Sequence, residues 1–445
     1  MAPPNVTQLT SRILSNPHIG HEWGPAPTYE LTSWIKGELL VSQDAPKEQR
    51  DLLGHYGWGA KSSVLAPSKQ MKKMPSRHPD VLDIEIWGPQ GPGKPMMVEA
   101  VIADFRAKFG HELRVSPNHV LVPCGAGAYC PARAPRPLPP QPSLANKMST
   151  FVESKKNICV VVIDTGYIPK APLELRKQRG GFASRTGEVW NGQDWVASPK
   201  DDAYRLFPSG PLDMLDGHGT FTAGEIAQRC PKVHVTVVGI LDDEGAATEA
   251  AVARAIYLNA HADVIVPVFA FPMLHGMDNW TFTNVLPQLK TGSVVVCPAG
   301  NESSYKPHYP AALQWPKYPV VGVGSFLPKS AMKKQGGPLS DFSNFGDWVF
   351  GYTLGEDVMG LYFNLTTKVE DSDPPDKRWP FKGWATWSGT SFAAPKVAAL
   401  LANRAVSGTE PWAAAGQLQG AAPQVPLGRP YAVGLTGHDF RQLAK

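Results

Sequence analysis

Five short runs rich in valine and isoleucine recur at 158–163, 233–240, 264–269, 294–297 and 320–323. A strand with one wet face alternates apolar and polar residues, whereas a run that is apolar nearly throughout is covered on both faces. Helix-like stretches fall between these runs, after His218, near Thr248, near Asn279 and at Ser391. The alternation predicts an α/β domain over 157–445, a doubly wound parallel sheet with helices on both faces. Ligands of such sheets bind beyond the carboxyl ends of the strands.

The rest of the chain reads differently. Residues 1–36 are polar and broken by Pro and Gly, and little stable structure is expected there. His18, His21 and Glu22 lie in this segment and read as solvated residues rather than metal ligands. Over 37–123 the pattern is strand (38–41), helix (45–56), strand (81–87), helix (96–109) and strand (113–122). That order predicts a small α+β domain of the split βαβ kind. Met97, Val98, Val101, Ile102 and Phe105 carry the spacing of a helix face, and Gly110 stops it. Residues 124–156 contain six prolines between Pro131 and Pro142. Such a stretch favours extended polyproline geometry and is expected to be a linker, with a proline-rich ligand for another module as the rival reading.

Four segments carry chemistry. Asp164 ends the run VVVID, His218 lies between glycines in DGHGTFTAGE, Asn301 follows CPAG, and Ser391 follows WSGT ahead of a small-residue helix. A serine hydroxyl is a weak nucleophile that needs a neighbouring base. Histidine is suited to that task near neutrality, and a buried acid fixes its tautomer. Ser391 at a helix start meets the positive end of the helix dipole. The Asn301 amide can donate to a developing oxyanion together with the backbone N–H of Ser391. Singly, each residue has an ordinary explanation: a strand-end aspartate, a capping histidine, an N-cap serine. Jointly they form a site.

These residues resemble the subtilisin-like (subtilase) serine proteases, whose Asp-Thr-Gly, His-Gly-Thr, Ala-Gly-Asn and Gly-Thr-Ser-x-Ala-Ala-Pro motifs appear here in the same order. The resemblance covers roughly 157–406. Pro310-Ala311 with the glycine–valine run at 320–324, and Phe342-Ser343-Asn344-Phe345-Gly346, extend it. It implies a serine endopeptidase acting on a peptide or protein substrate, with Asp164, His218 and Ser391 as triad and Asn301 in the oxyanion hole. It also implies a substrate cleft along Val268, Phe269, Ala270 and Gly300. Residues 114–120 look like the end of a subtilase prodomain, which implies autoinhibition by the N-terminal domain. An unrelated accessory domain is the alternative.

The chain departs from the family in three places. The stretch 267–272 holds two prolines and bulky side chains where a Ser-x-Gly step is usual, which leaves the open subsites undetermined. Phe221 and Thr222 follow the His-Gly-Thr motif where His-Val is common. An apparent insertion, VEDSDPPDKRWPFKGW, precedes the nucleophile and either flanks the cleft or forms a surface loop.

Rival mechanisms fit poorly. Asp164-Thr165-Gly166 also matches the aspartic-protease motif, but that chemistry needs a second carboxylate, and no second such motif occurs. An α/β-hydrolase needs its acid and histidine after the serine, where only Glu410 and His438 remain in that order. A subtilisin fold that no longer cleaves and serves as a binding or regulatory protein is the alternative from another class.

Composition excludes further classes. Net charge is +4 over 445 residues without a basic block, so no nucleic-acid partner is expected. No run reaches the roughly 18 apolar residues of a membrane helix, so no membrane partner is expected. The start lacks a basic stretch followed by an apolar one. The expectation is a cytoplasmic protein, or a secreted one if the start is misassigned. Of five cysteines, Cys159 and Cys297 read as core residues. Cys124 and Cys130 are near enough to pair, although an odd count without a signal argues for a reducing compartment. No cofactor or metal motif is present. Calcium remains conceivable from the resemblance alone, and the oligomeric state stays open.

Overall fold

The computed structural model describes residues 7–23, 31–66, 83–91, 93–110, 112–122, 133–140, 157–167, 182–198, 211–241, 245–274, 277–313, 315–327, 339–374 and 376–421. Cys124 and Cys130, the insertion's Pro375 and the tail after 421 lie outside these residues.

Helix α1 (Gln8–Ser15) is capped by Thr7, whose Oγ1 accepts from Thr10 N. Strand β1 (Ile19–Trp23) pairs antiparallel with β2 (Leu31–Ser42). Both correct the expectation of little structure before residue 37. Local composition hides the cause, because the stabilising partners are remote. Ile13 is buried, and Arg12 pairs with Glu370 at 3.0 Å and Asp213 at 3.6 Å. The domain boundary moves upstream accordingly, since β1 and the first half of β2 share one sheet.

Helix α2 (Lys47–His55), strands β3 (Trp58–Ser63) and β4 (Ile84–Pro89), helix α3 (Val98–Phe109) and strand β5 (Val115–Leu121) complete this unit. The antiparallel sheet runs β5-β2-β4-β3, with β1 beside β2. Helix α3 buries Val98, Val101, Ile102 and Phe105, the face its spacing predicts. Strand β3 was not anticipated. Its sequence, WGAKSS, is too polar for an apolar run, and backbone pairing with β4 forms it.

Within the expected linker, Arg133–Pro137 forms strand β6. This corrects the reading of the segment as a polyproline linker. Proline removes a backbone donor but is tolerated on an edge strand, and β6 has a single neighbour, described below.

The larger unit holds a parallel sheet. Its strands are β7 (Cys159–Asp164), β8 (Phe182–Thr186), β11 (His234–Gly239), β13 (Val264–Pro267), β14 (Val294–Pro298), β15 (Val320–Phe326) and β16 (Gly351–Leu354). They lie in the order β16-β15-β14-β13-β7-β11-β8, and every pairing is parallel. A short ribbon, β9 (Glu188–Trp190) with β10 (Trp195–Ala197), follows β8. Helices α4 (His218–Arg229) and α7 (Thr390–Val406) pack side by side on one face. Helices α5 (Glu249–Leu258) and α6 (Trp280–Val285) pack together on the other, and α8 (Pro411–Ala421) lies against α7. Among the described residues, no helix is long and apolar enough to cross a membrane. Cys297 and Cys230 are buried; burial drives the Cys297 thiol well above its ordinary range and the Cys230 thiol up to about 11.

The apparent insertion is a hairpin rather than an irregular loop. Strand β17 (Val358–Thr367) pairs with β18 (Trp379–Ser388), and β6 pairs antiparallel with the other edge of β18. The hairpin closes a second core of Phe221, Tyr362, Phe363, Phe381, Trp387 and Phe392. Phe221, where the family pattern has histidine, packs tilted against Phe392 with ring centres 4.6 Å apart and meets Trp387 edge-on.

The two units meet over buried polar contacts. Strand β12 (Ala247–Thr248) extends the N-terminal sheet by pairing with β5. Asn118 Oδ1 accepts from Ala250 N at the start of α5, and His119 Nδ1 lies 2.6 Å from Glu249 Oε2. Arg254 of α5 pairs with Glu188 at 2.7 Å and donates to the carbonyls of Val64 and Ala66.

Glu38 of β2 sits behind this contact and accepts from Asn118 Nδ2 at 2.6 Å. Burial pushes its carboxyl from 4.5 up to about 7, against opposing hydrogen bonds from Asn118 and Trp190. A carboxyl raised on folding contributes stability that is full below its ordinary pKa and lost as pH rises through the folded value. Wild-type thermal stability is therefore expected to fall relative to Glu38→Gln as pH rises from 5 to 8. Parallel melting curves for the two proteins across that range would refute it.

Candidate active site

Asp164 ends β7, an interior strand of the parallel sheet between β13 and β11, where the carboxyl ends of strands meet the loops. His218 opens α4 and Ser391 lies in the first turn of α7. Because α4 and α7 are neighbours on one face, these segments converge. His218 Nδ1 lies 2.9 and 2.8 Å from the two oxygens of Asp164, and His218 Nε2 lies 2.8 Å from Ser391 Oγ. All three side chains are 0% exposed. With Nδ1 protonated toward Asp164, Nε2 is left to accept the Ser391 proton. A hydroxyl so placed can attack a carbonyl carbon as its proton moves to the imidazole.

Asn301 is set by Thr390. Its Oδ1 accepts from both the backbone N–H and the hydroxyl of Thr390, each at 2.9 Å. That fixes the amide orientation and leaves Nδ2 buried without a hydrogen-bond partner among the described residues. An unpaired buried donor is costly unless it has another role. A side chain on Gly389 would begin 3.2 Å from Ser391 Oγ and 3.6 Å from Asn301 Nδ2. The empty space beside Gly389 is thus flanked by a nucleophilic oxygen and an unsatisfied donor.

Several supporting residues were assigned no role from sequence, Asn344, Thr165, Trp387 and Phe392 among them. Asn344 staples the Asn301 loop: Nδ2 donates to Ala299 O and Glu302 Oε2, and Oδ1 accepts from Glu302 N and Ser304 N. Gly300 has φ of +104°, and a Cβ there would lie 2.3 Å from Asn344 Nδ2, which accounts for the glycine. Thr165 Oγ1 accepts from Gly219 N, tying the aspartate loop to the histidine helix. Trp387 meets the His218 ring edge-on at 5.5 Å and Phe392 packs on it at 5.0 Å. The Asn344 motif was visible in the sequence, and Trp387 stands at the head of the WSGT segment, where no local signal marked its ring contact with His218.

Val268, Phe269 and Ala270 follow β13 and are fully buried. The side chains of Val268 and Phe269 belong to the main core, and the next residue, Phe271, pairs with Tyr309 through both backbone hydrogen bonds. Among the described residues, no group of three or more His, Cys, Asp or Glu side chains converges as a metal site.

The approach of α4 to the aspartate loop depends on Gly219, where a Cβ would stand 2.1 Å from Gly166 O. Gly219→Ala must therefore shift the start of the helix that carries His218. A loss of about 1–3 kcal/mol in stability is expected from such overpacking, with a fall in kcat larger than the change in KM. Denaturant unfolding and peptide hydrolysis measure the two, and an unchanged kcat would contradict the expectation.

Comparison with known proteins bears on this geometry. The subtilase family model matches residues 155–421. Thermitase from Thermoactinomyces vulgaris is 26% identical over 252 residues, 54% of this chain and 72% of thermitase. Fervidolysin from Fervidobacterium pennivorans, a keratinolytic enzyme related to subtilisin, shares the fold with a TM-score of 0.51 at 18% identity. That match covers 92% of this chain and 61% of the fervidolysin chain. The chain belongs to the subtilase family and is a subtilisin-like serine endopeptidase.

Proposed function

We propose that Ser391 is the nucleophile, His218 the general base and then acid, and Asp164 the group that orients and stabilises the imidazolium. The observation that carries this is the unbroken hydrogen-bond relay from Asp164 through His218 to Ser391. Ser391 Oγ attacks the scissile carbonyl while His218 Nε2 takes its proton. The same proton then goes to the leaving amine, an acyl-enzyme forms, and water reverses the sequence. The oxyanion sits between Asn301 Nδ2 and the N–H of Ser391, in the space beside Gly389. Gly300 borders that space, and Val268, Phe269 and Ala270 offer a substrate their backbone, since their side chains are committed to packing.

A fluorophosphonate probe is expected to label the protein at Ser391, and Ser391→Ala to abolish both labelling and peptide hydrolysis. Absence of labelling in folded protein released from its N-terminal unit would favour the catalytically silent fold instead. Asn301→Ala is expected to lower kcat about 100- to 1000-fold with little change in KM, a magnitude established on subtilisin and taken over here.

The N-terminal unit acts as an autoinhibitor in this reading. Its support is the burial of the whole triad in the full-length chain and the docking of β5 against β12 and α5. Opening the chain at a protease site engineered between 141 and 156 is expected to raise peptide hydrolysis. Equal rates before and after opening would overturn autoinhibition while leaving the triad intact.

A further inference from the structure

Strand β6 lies on the edge of β18, the strand that leads into the nucleophile. Ala385 faces Pro137, Thr386 faces Arg136, and Ser388, three residues before Ser391, faces Arg133. Read from Arg133 to Pro137, β6 therefore runs away from the catalytic serine. Residues C-terminal to a scissile bond must run in that same sense. The side of the site is also defined. Trp387 packs against the ring of His218, the group that hands its proton to the leaving amine, and its Nε1 donates to Arg133 O at 2.7 Å. The edge of β18 thus flanks the leaving-group side.

One side chain of β6 is read specifically. Arg133 Nη2 lies 2.9 Å from Glu356 Oε1, and the Glu356 side chain is only 4% exposed. Glu356 sits between β16 and β17, beside Gly355, whose carbonyl accepts from Gly389 N at 2.8 Å. The carboxylate is therefore attached to the backbone that frames the nucleophile. A buried carboxylate facing a cation discriminates strongly, because an uncharged residue in the same place leaves it unpaired.

Resting on the triad reading above, the geometry points to β18 as the docking strand for the leaving-group side of the substrate. Glu356 is a specificity residue for an arginine there, and β6 is a tenant that a substrate replaces. Docking is by strand addition, with main-chain pairing supplying affinity and Glu356 supplying selectivity. Strand β6 is only five residues long and its register shifts between Thr386 and Ser388, so a peptide in regular register pairs more completely along the same edge.

The test uses the full-length chain and fluorogenic peptides carrying Arg, citrulline or Ala at each of the first four positions after the scissile bond. Citrulline keeps the shape of arginine and removes its charge. Arginine at one position is expected to raise kcat/KM about tenfold or more over both replacements. The Arg-to-Ala ratio is expected to collapse toward one in Glu356→Gln. Arg133→Ala, which weakens the tenant, is expected to raise the rates of all the peptides while preserving the ratio. A profile flat across arginine, citrulline and alanine in wild-type protein, or a ratio unchanged in Glu356→Gln, overturns the inference. Protein that labels with fluorophosphonate and cleaves without preference retains the triad reading and loses this one; folded protein that neither labels nor cleaves after release of its N-terminal unit loses both.

Discussion

Everything at the site depends on one vacancy, the space that Gly389 leaves by having no side chain. Ser391 Oγ and Asn301 Nδ2 face it from segments ninety positions apart, and neither atom is held there by its own local sequence. Thr390 does the holding from the neighbouring position, by occupying the oxygen end of the Asn301 amide and leaving the nitrogen end forward. Asn344 holds the loop from behind through four hydrogen bonds. The Asn301 amide is thereby held at its oxygen end, while its nitrogen end has no hydrogen-bond partner among the described residues.

The parallel sheet makes this convergence possible. Asp164 stands at the end of an interior strand, and the helices bearing His218 and Ser391 lie together on one face. Phe221 and Phe392, one on each helix, then join Trp387 in the second aromatic core. The hairpin that precedes Ser391 is thereby part of the wall around His218, and its sequence is tied to the site by packing rather than by charge.

How much could be read in advance follows from where each signal resides. The five buried strands were legible because burial on both faces leaves an apolar run, and each appears within a few residues of its expected place. The relay of Asp164, His218 and Ser391 was legible because the motif residues keep their order. Strand β6 was not, because proline content describes what a segment cannot donate and is silent about which edge it can border. Helix α1 was not, because Arg12 finds its partners at Asp213 and Glu370. Trp387 was missed for the same reason: its role arises from a ring contact across 169 positions, between residues 218 and 387.

The tie between Arg12 and Glu370 spans 358 positions, and that between His218 and Ser391 spans 173. Contacts so distant in sequence form only after large loops have closed, and chains dominated by them fold slowly. A ribosome releasing this polypeptide would expose β1 through β5 long before the residues that cover them exist. The early product is then a sheet with an open β5 edge, awaiting the dipeptide at 247–248 that completes it. Order of synthesis thus makes the N-terminal sheet a template on which α5 and its flanking strand can assemble.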